Sequence, residues 1–395
     1  MKPLDIALCY ESVLPNRGGA ETYIGDLARR LAADGHAVHL YASRWDAASL
    51  PAATKYHLLP APVGPRFLRP WRFAEACEQA LKTGGHDVSV GFDKTYGQDV
   101  LYPQGGLHVA AKQHNLLKFK DPIVRFLAAS GKFLDPAARS FTRLEQRQYL
   151  GRKRPTIVVN SRMVAGHFRK YYNMHPENLH VVHSAVDPKR FAAEDRAKCR
   201  AEERLRWAAS EGEPIGLMIA MNYRLKGLAQ LIRAVAEVPP EHNFRIAVVG
   251  HPKFHKYGKL ACKLGVQDRF LFLGFRVDPK DCYFAADFLV HPTFYDPCSL
   301  VVLEALACGL PVITTKYNGA SELLSVPSDG LVVNDPHDAL ELAAALAKML
   351  NADYRRHAAA AALKTARQWT FDMHYAKMLE VFDDVREAKL LESQS

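Results

Sequence analysis

Two carboxylates eight positions apart, Asp296 and Glu304, stand in the segment HPTFYDPCSLVVLEALACGLPVITT. Glu304 is the only charge in the otherwise apolar run SLVVLEALAC. A carboxylate buried there without a partner is costly, so it needs hydroxyl or N–H donors, from a ligand or from a neighbouring element. Asp296 precedes the helix, and its carboxylate can reach the same cleft. Ser299 fits the helix N-cap, Gly309 the residue past its end, and Pro311 the start of the next strand. A second signal is AMNYRLKGL, where Arg224 and Lys226 lie between a strand and the helix opening at Gly227. Two cations beyond the carboxyl end of a strand suit a diphosphate leaving group, although a basic loop in solvent reads the same way locally. A third is Gly18-Gly19, where the first loop enters a helix. Helix N-termini attract anions, and glycines let one approach the backbone, but a plain turn has the same sequence. No G-x-G-x-x-G and no Walker lysine follows, which disfavours dinucleotide and P-loop readings. A fourth is His108, after Gly105-Gly106, which can handle a proton or bind a hydroxyl. It is also one of seventeen histidines, most of which do neither.

The elements that must position these residues alternate. Strands are expected at Ile6–Tyr10, Val38–Tyr41, Val88–Gly91, Thr156–Val159 and Leu179–Val182, with helices at Ala20–Ala33 and Ser161–Tyr172. After Asp187-Pro188 a second run begins. Its strands are Ile215–Ala220, Phe244–Val249, Phe270–Leu273, Phe288–His291, Pro311–Thr315 and Leu331–Val333, with a helix at Gly227–Val238. Such alternation gives parallel sheets covered by helices on both faces. The expectation is an α/β chain of two Rossmann-like domains, with a charged surface connection over Glu194–Glu213. Three helices follow Pro336.

The 395 residues suffice for two domains, and 48% apolar with 24% charged residues is ordinary globular composition. That excludes a disordered chain, a collagen-like fibre and a small disulfide scaffold. Seven scattered cysteines without a C-x-x-C pair read as reduced thiols in the cytoplasm. The N-terminus reads as a first strand and not as a signal peptide. No stretch approaches the length of a transmembrane helix. The net charge of +10 calls for an anionic partner. Residues 112–154 hold eleven Lys and Arg against three acids, a local balance of +8, with apolar residues interleaved. That pattern fits peripheral docking on an anionic membrane surface, the alternative being a solvated helical face with an ordinary buried side.

Taken together, these segments resemble a retaining glycosyltransferase of the GT-B fold, family 4. The resemblance spans nearly the whole chain and is most specific in D-P-C-S-L-V-V-L-E, A-L-A-C-G-L-P-V-I-T-T and G-A-S-E. NRGGAE, VVNSRMV, HSAVDPKRF and YRLKG match in the same order. GGLH and YRLKG are similar to the lipopolysaccharide-core glucosyltransferase branch. The resemblance implies an N-terminal acceptor-side domain, 1–188, a C-terminal nucleotide-sugar domain, 189–369, facing it across a cleft, and a last helix, 370–395, packed back on the first. It assigns Glu304 to the ribose hydroxyls and Asp296 to the transferred sugar, although the family usually has glutamate where Asp296 stands. Lys226 and Arg224 take the diphosphate, although Arg224 departs from the commoner spacing. Gly18, Gly19, Ser299, Leu300 and Glu322 lie on the donor side, and His108 faces the sugar. The reaction it implies moves a hexose, glucose, from a UDP-sugar to a glycan or lipopolysaccharide-core acceptor, lipid-linked, with retention at the anomeric carbon. It implies no cofactor. No D-x-D triplet is present, so no metal is expected at the diphosphate. An epimerase-like sugar-nucleotide enzyme remains an alternative. A non-catalytic binder of anionic polymers is a further one, but no RNP, KH or helix-turn-helix pattern supports nucleic-acid binding.

Overall fold

The computed structural model describes residues 2–14, 18–151, 154–192 and 195–394, and all of their side chains except those of 132–134 and 394. Asn16 and Arg17 of NRGGAE, Glu194, Arg152 and Lys153, and the side chains of Lys132, Phe133 and Leu134, lie outside these.

The chain divides into two compact units. The first comprises residues 1–116, 121–182 and 375–395, the second 117–120 and 183–374. In the first, strands β1 (Asp5–Cys9), β3 (Ala37–Ala42), β5 (Lys55–Leu58), β6 (Val88–Phe92), β7 (Val100–Tyr102), β8 (Thr156–Val159) and β9 (Leu179–Val181) form one parallel sheet. Its order is β5-β3-β1-β6-β7-β8-β9. A minor pair, β2 (Ser12–Val13) and β4 (Arg44–Trp45), stands apart. The helices of this unit are α1 (Gly19–Ala33), α2 (Arg69–Leu81), α3 (His108–Leu117), α4 (Pro122–Leu134), α5 (Pro136–Leu150) and α6 (Arg162–Tyr172). Most of α14 (Phe371–Gln394) joins them. Its Lys389 donates to the carbonyls of His86 and Asp87 and to Asp99 Oδ2, each at 3.0 Å.

The second sheet contains β10 (Ile215–Ala220), β11 (Arg245–Gly250), β12 (Phe270–Gly274), β13 (Phe288–His291), β14 (Val312–Thr315) and β15 (Gly330–Val333). It is parallel throughout, in the order β12-β11-β10-β13-β14-β15. Side chains alternate across it. Ile215, Leu217 and Leu289 join one core layer, and Met218, Phe288 and Val290 the other. A sheet buried on both faces explains the near-continuous apolar runs of its strands. Around it lie α7 (Arg196–Arg206), α8 (Leu228–Glu237), α9 (His255–Lys263), α10 (Lys280–Ala285), α11 (Leu300–Ala307), α12 (Ala339–Leu350) and α13 (Ala352–Ala366).

The expected charged connection is instead an integral part of the second unit. Within it, α7 sets Arg200 against the carbonyls of residues 284–286 and against Asp287, and Arg204 also bonds Asp287. Glu203 and Glu213 are buried and paired with Arg206, Arg276 and Arg245. Charge density there reflects ion pairs and helix capping of carbonyls rather than solvation. Among the described residues, no helix is long and apolar enough to cross a membrane.

Candidate active site

In the second unit the chain runs outward from β10 to β12 and then returns to lay β13 beside β10. The loops after β10 and β13 therefore part at the carboxyl edge, where open α/β sheets bind ligands. Lys226 is on the first loop and Asp296 on the second. Gly227 has φ +79°, and a Cβ there would stand 2.1 Å from the Pro292 carbonyl oxygen. Only glycine lets the two loops meet so closely. Lys226 Nζ donates to Asp296 Oδ2 at 2.5 Å and to the Tyr295 carbonyl at 3.2 Å. His291, at the end of β13, holds Nε2 3.4 Å from the same carboxylate oxygen. Burial pushes the Asp296 carboxyl up, but the Lys226 ammonium and the His291 ring outweigh it and hold it below the usual carboxylate range. Burial pushes His291 the other way, towards the neutral ring.

Glu304 projects from α11 and accepts the Tyr283 hydroxyl at 2.5 Å. Burial raises its carboxyl, against the opposing pull of that bond and of Arg190. The donor that the apolar helix demanded is thus a hydroxyl from α10. Ser299 holds the N-cap position of α11, with Leu300 the first helical residue, but the expected cap bond from its side chain is not made. Its backbone N–H donates instead to Asn318 Oδ1 at 3.2 Å. Asn318 also accepts from Ala320 N and donates to Thr314 Oγ1. It fixes the Asp296 loop, whose backbone bonds Tyr317 and Gly319. Glu322 meets His183 Nε2 at 2.7 Å. Arg224 is exposed, and its guanidinium lies 4.4 Å over the Phe119 ring. The two basic residues of YRLKG therefore have different partners.

The first unit repeats the topology. The chain runs outward from β1 to β5 and returns to set β6 beside β1. At that switch point lies a cavity of about 530 Å³, lined among others by Tyr10, Asp93, Lys94, His108, Phe141 and Glu145. Asp93 ends the β6 turn with φ +52°, a left-handed conformation that aspartate tolerates better than most residues. Its Oδ1 accepts the Gly105 N–H at 3.0 Å, so it shapes the glycine loop before His108. Burial raises its carboxyl. The N-terminus of α3 is occupied from within. Buried Glu145 accepts the N–H groups of His108 and Val109 and the Tyr172 hydroxyl. His108 is half-buried beside Phe141. Gly18 and Gly19 are exposed at the start of α1, whose N-cap, Gly18, makes no side-chain bond.

Sequence patterns alone passed over His291, Tyr283, Asn318, Asp93 and Glu145. The available signal was position: His291 and Asp93 each fall where a strand reaches its carboxyl end.

Two parallel-sheet Rossmann-like units, each with polar residues gathered at its switch point, define a glycosyltransferase of the GT-B type. One family model, glycosyl transferases group 1, matches residues 200–367, and another, glycosyltransferase family 4, matches residues 17–190. The chain thus carries a glycosyltransferase family 4 domain in its first half and a glycosyl transferases group 1 domain in its second. It is 27% identical to the lipopolysaccharide glucosyltransferase WaaG of Escherichia coli K12, over 87% of this chain and 89% of that one. It is 27% identical to a D-inositol 3-phosphate glycosyltransferase of Salinispora tropica, over 93% and 81%. The crystal structure of WaaG superposes with a TM-score of 0.76 at 25% identity, covering 96% of this chain and 99% of that one. The structure of Anabaena HepE in complex with UDP-glucose shares the fold, with a TM-score of 0.67 at 19% identity, over 96% and 100%.

Proposed function

We propose that this protein transfers a hexose from a UDP-sugar, UDP-glucose in the first instance, to a lipid-linked glycan of the lipopolysaccharide-core kind, with retention at the anomeric carbon. The observation that carries the reading is the Lys226–Asp296 pair, with Glu304 on the following helix, at the switch point of the group 1 unit. Glu304 holds the ribose hydroxyls, and its Tyr283 bond orients the carboxylate. Asp296, kept ionised by Lys226, accepts from hydroxyls of the transferred sugar. Lys226 has three N–H donors, two of them engaged by Tyr295 and Asp296. It turns to the diphosphate as the glycosidic bond breaks and stabilises the charge that develops there. Arg224, the backbone at Ser299 and Leu300, and the start of α1 at Gly18 and Gly19 add positive potential. Glu322, held by His183, supports the donor side. The departing phosphate takes the acceptor proton on the face it leaves, which preserves configuration. No metal or further cofactor enters this scheme.

The first unit receives the acceptor. Its cavity combines carboxylates, Lys94 and His108 with aromatic walls, which suits sugar hydroxyls above apolar ring faces. His108 orients the acceptor or the donor sugar. Docking on the cytoplasmic leaflet fits α4, which carries Arg125 and where Ile123 is 69% and Phe126 71% exposed, with Lys118 and Lys120 preceding it in the sequence. Each basic residue near an anionic bilayer adds about 1 kcal/mol.

The test is incubation with a panel of nucleotide sugars, with and without a lipopolysaccharide-core acceptor, measuring nucleotide release and product. Transfer that requires the acceptor supports the reading. Turnover of the nucleotide sugar without any acceptor supports the epimerase-like alternative and overturns transfer.

A further inference from the structure

A polar cluster unrelated to the sugar chemistry lies in the first unit. Asp5, His39 and His86 bring one ligand atom each within 4.8 Å of one another. His39 Nε2 stands 3.3 Å from Asp5 Oδ2, and His86 Nδ1 touches Asp5 Oδ1. Ligand atoms around a tetrahedral zinc ion, with bonds of roughly 2.0–2.1 Å, lie about 3.3 Å apart. His39 Nε2 is buried and makes no hydrogen bond.

The outer ring of contacts completes the pattern. His39 Nδ1 faces His57 Nε2 at 2.9 Å, and His86 Nε2 faces the Tyr41 hydroxyl at 2.7 Å. Each ring thus turns one nitrogen towards Asp5 and fixes the other with a partner, as metal-ligating histidines do. Tyr41 and His57 stack, with centroids 4.2 Å apart, and limit rotation of that partner. Gly84 leaves room for the arrangement, since a Cβ there would stand 2.5 Å from His86 Nε2. His39 and His86 are buried, while the Asp5 side chain is 39% exposed and gives an ion its way in.

We propose that Asp5, His39 and His86 form a binding site for one divalent transition-metal ion, Zn²⁺ by its ligand set, with His57 and Tyr41 as its orienting partners. Imidazole with one carboxylate suits zinc and its neighbours rather than calcium or magnesium. On binding, His39 Nε2, His86 Nδ1 and an Asp5 oxygen become ligands. Nδ1–H of His39 then donates to His57, and Nε2–H of His86 to Tyr41. Water completes the coordination. The site lies at the amino end of β1, the edge opposite the switch-point loops, and joins β1, β3 and the turn before β6. Its role is therefore to fasten the sheet.

The experiment uses the full-length, tag-free protein, stripped with EDTA and freed of it by gel filtration. Zn²⁺ is titrated against a chromogenic chelator, and Co²⁺ binding is followed by its visible spectrum. The wild type should take up one equivalent, show a tetrahedral Co²⁺ spectrum and melt at higher temperature with Zn²⁺. His39→Gln with His86→Gln should lose that equivalent while keeping its far-UV spectrum and UDP affinity. His57→Gln or Tyr41→Phe should weaken Zn²⁺ about 10- to 100-fold. Should the double variant not fold, Asp5→Asn, which leaves both rings in place, must show the same loss. Absence of Zn²⁺ uptake by the wild type at 100-fold excess over protein overturns the proposal. So does an equivalent retained by the double variant or by Asp5→Asn, since another of the histidines would then hold it.

Discussion

Glu304→Gln separates binding from stability. The amide keeps the shape of the side chain and can still accept the Tyr283 hydroxyl, so the internal contact survives. What it loses is charge in two bonds to ribose hydroxyls. A bond to a charged group is stronger than a neutral one by about 1–1.5 kcal/mol, so two amount to about 2–3 kcal/mol. At about 1.4 kcal/mol per tenfold, UDP affinity should fall roughly 30- to 150-fold. Stability should move the other way. The folded carboxyl is raised above its unfolded value of 4.5. The fold therefore disfavours the ionised form, and that cost is fully present above the folded pKa and relieved as pH falls through the raised window. Glutamine removes the charge, so at pH 7 the melting temperature should stay level or rise. The assays are calorimetric titration with UDP and a thermal melt. A folded variant with wild-type UDP affinity would refute the ribose assignment, and a large fall in melting temperature would refute the argument from burial.

Lys226→Met should abolish transfer and destabilise the protein by about 1–3 kcal/mol at pH 7, less than for a fully buried pair because both groups keep some exposure. Asp296 in the wild type lies below its unfolded value of 3.8, so its contribution is present above that value and lost as pH falls through the lower folded pKa. Without Lys226, burial raises that carboxyl, so the variant is relieved as pH falls through the raised value towards 3.8, and the wild type loses its advantage below 3.8. The gap in melting temperature should therefore begin to narrow above about pH 4 and go on narrowing below it. A gap constant from pH 7 to pH 3 would contradict this. Transfer should persist in EDTA, because Lys226 and its basic neighbours meet the diphosphate, even if chelation lowers the melting temperature through the histidine site. Activity lost to EDTA and restored only by magnesium or manganese would show the leaving-group site misread. Reversal of Lys118, Lys120, Arg125 and Lys132 to glutamate should release the protein from anionic vesicles and spare UDP binding. Equal sedimentation of both proteins with anionic and neutral vesicles would leave the basic helices as a solvated face.

The sequence alone determined those features that depend on neighbours along the chain. Thr156–Val159, Ile215–Ala220 and Phe288–His291 are strands at the expected residues, because apolar runs bounded by breakers specify buried parallel strands locally. The spacing of Asp296 and Glu304 was legible for the same reason, since the first lies on the turn after β13 and the second in the helix that follows it. Tertiary structure decided the partners. Lys226 meets Asp296 across 70 residues only because the chain returns from β12 to lay β13 beside β10. Tyr283 reaches Glu304 because α10 and α11 share one core layer. Glu145 occupies the start of α3 from 37 residues away, which no local pattern announces. Arg200 and Arg204 turned an apparent linker into packed structure by finding carbonyls more than 80 residues ahead. Asp5, His39, His57 and His86 are ordinary residues in their own segments. They form a cluster because the order β5-β3-β1-β6 places their four segments side by side, and sheet order is a property of the whole chain's packing.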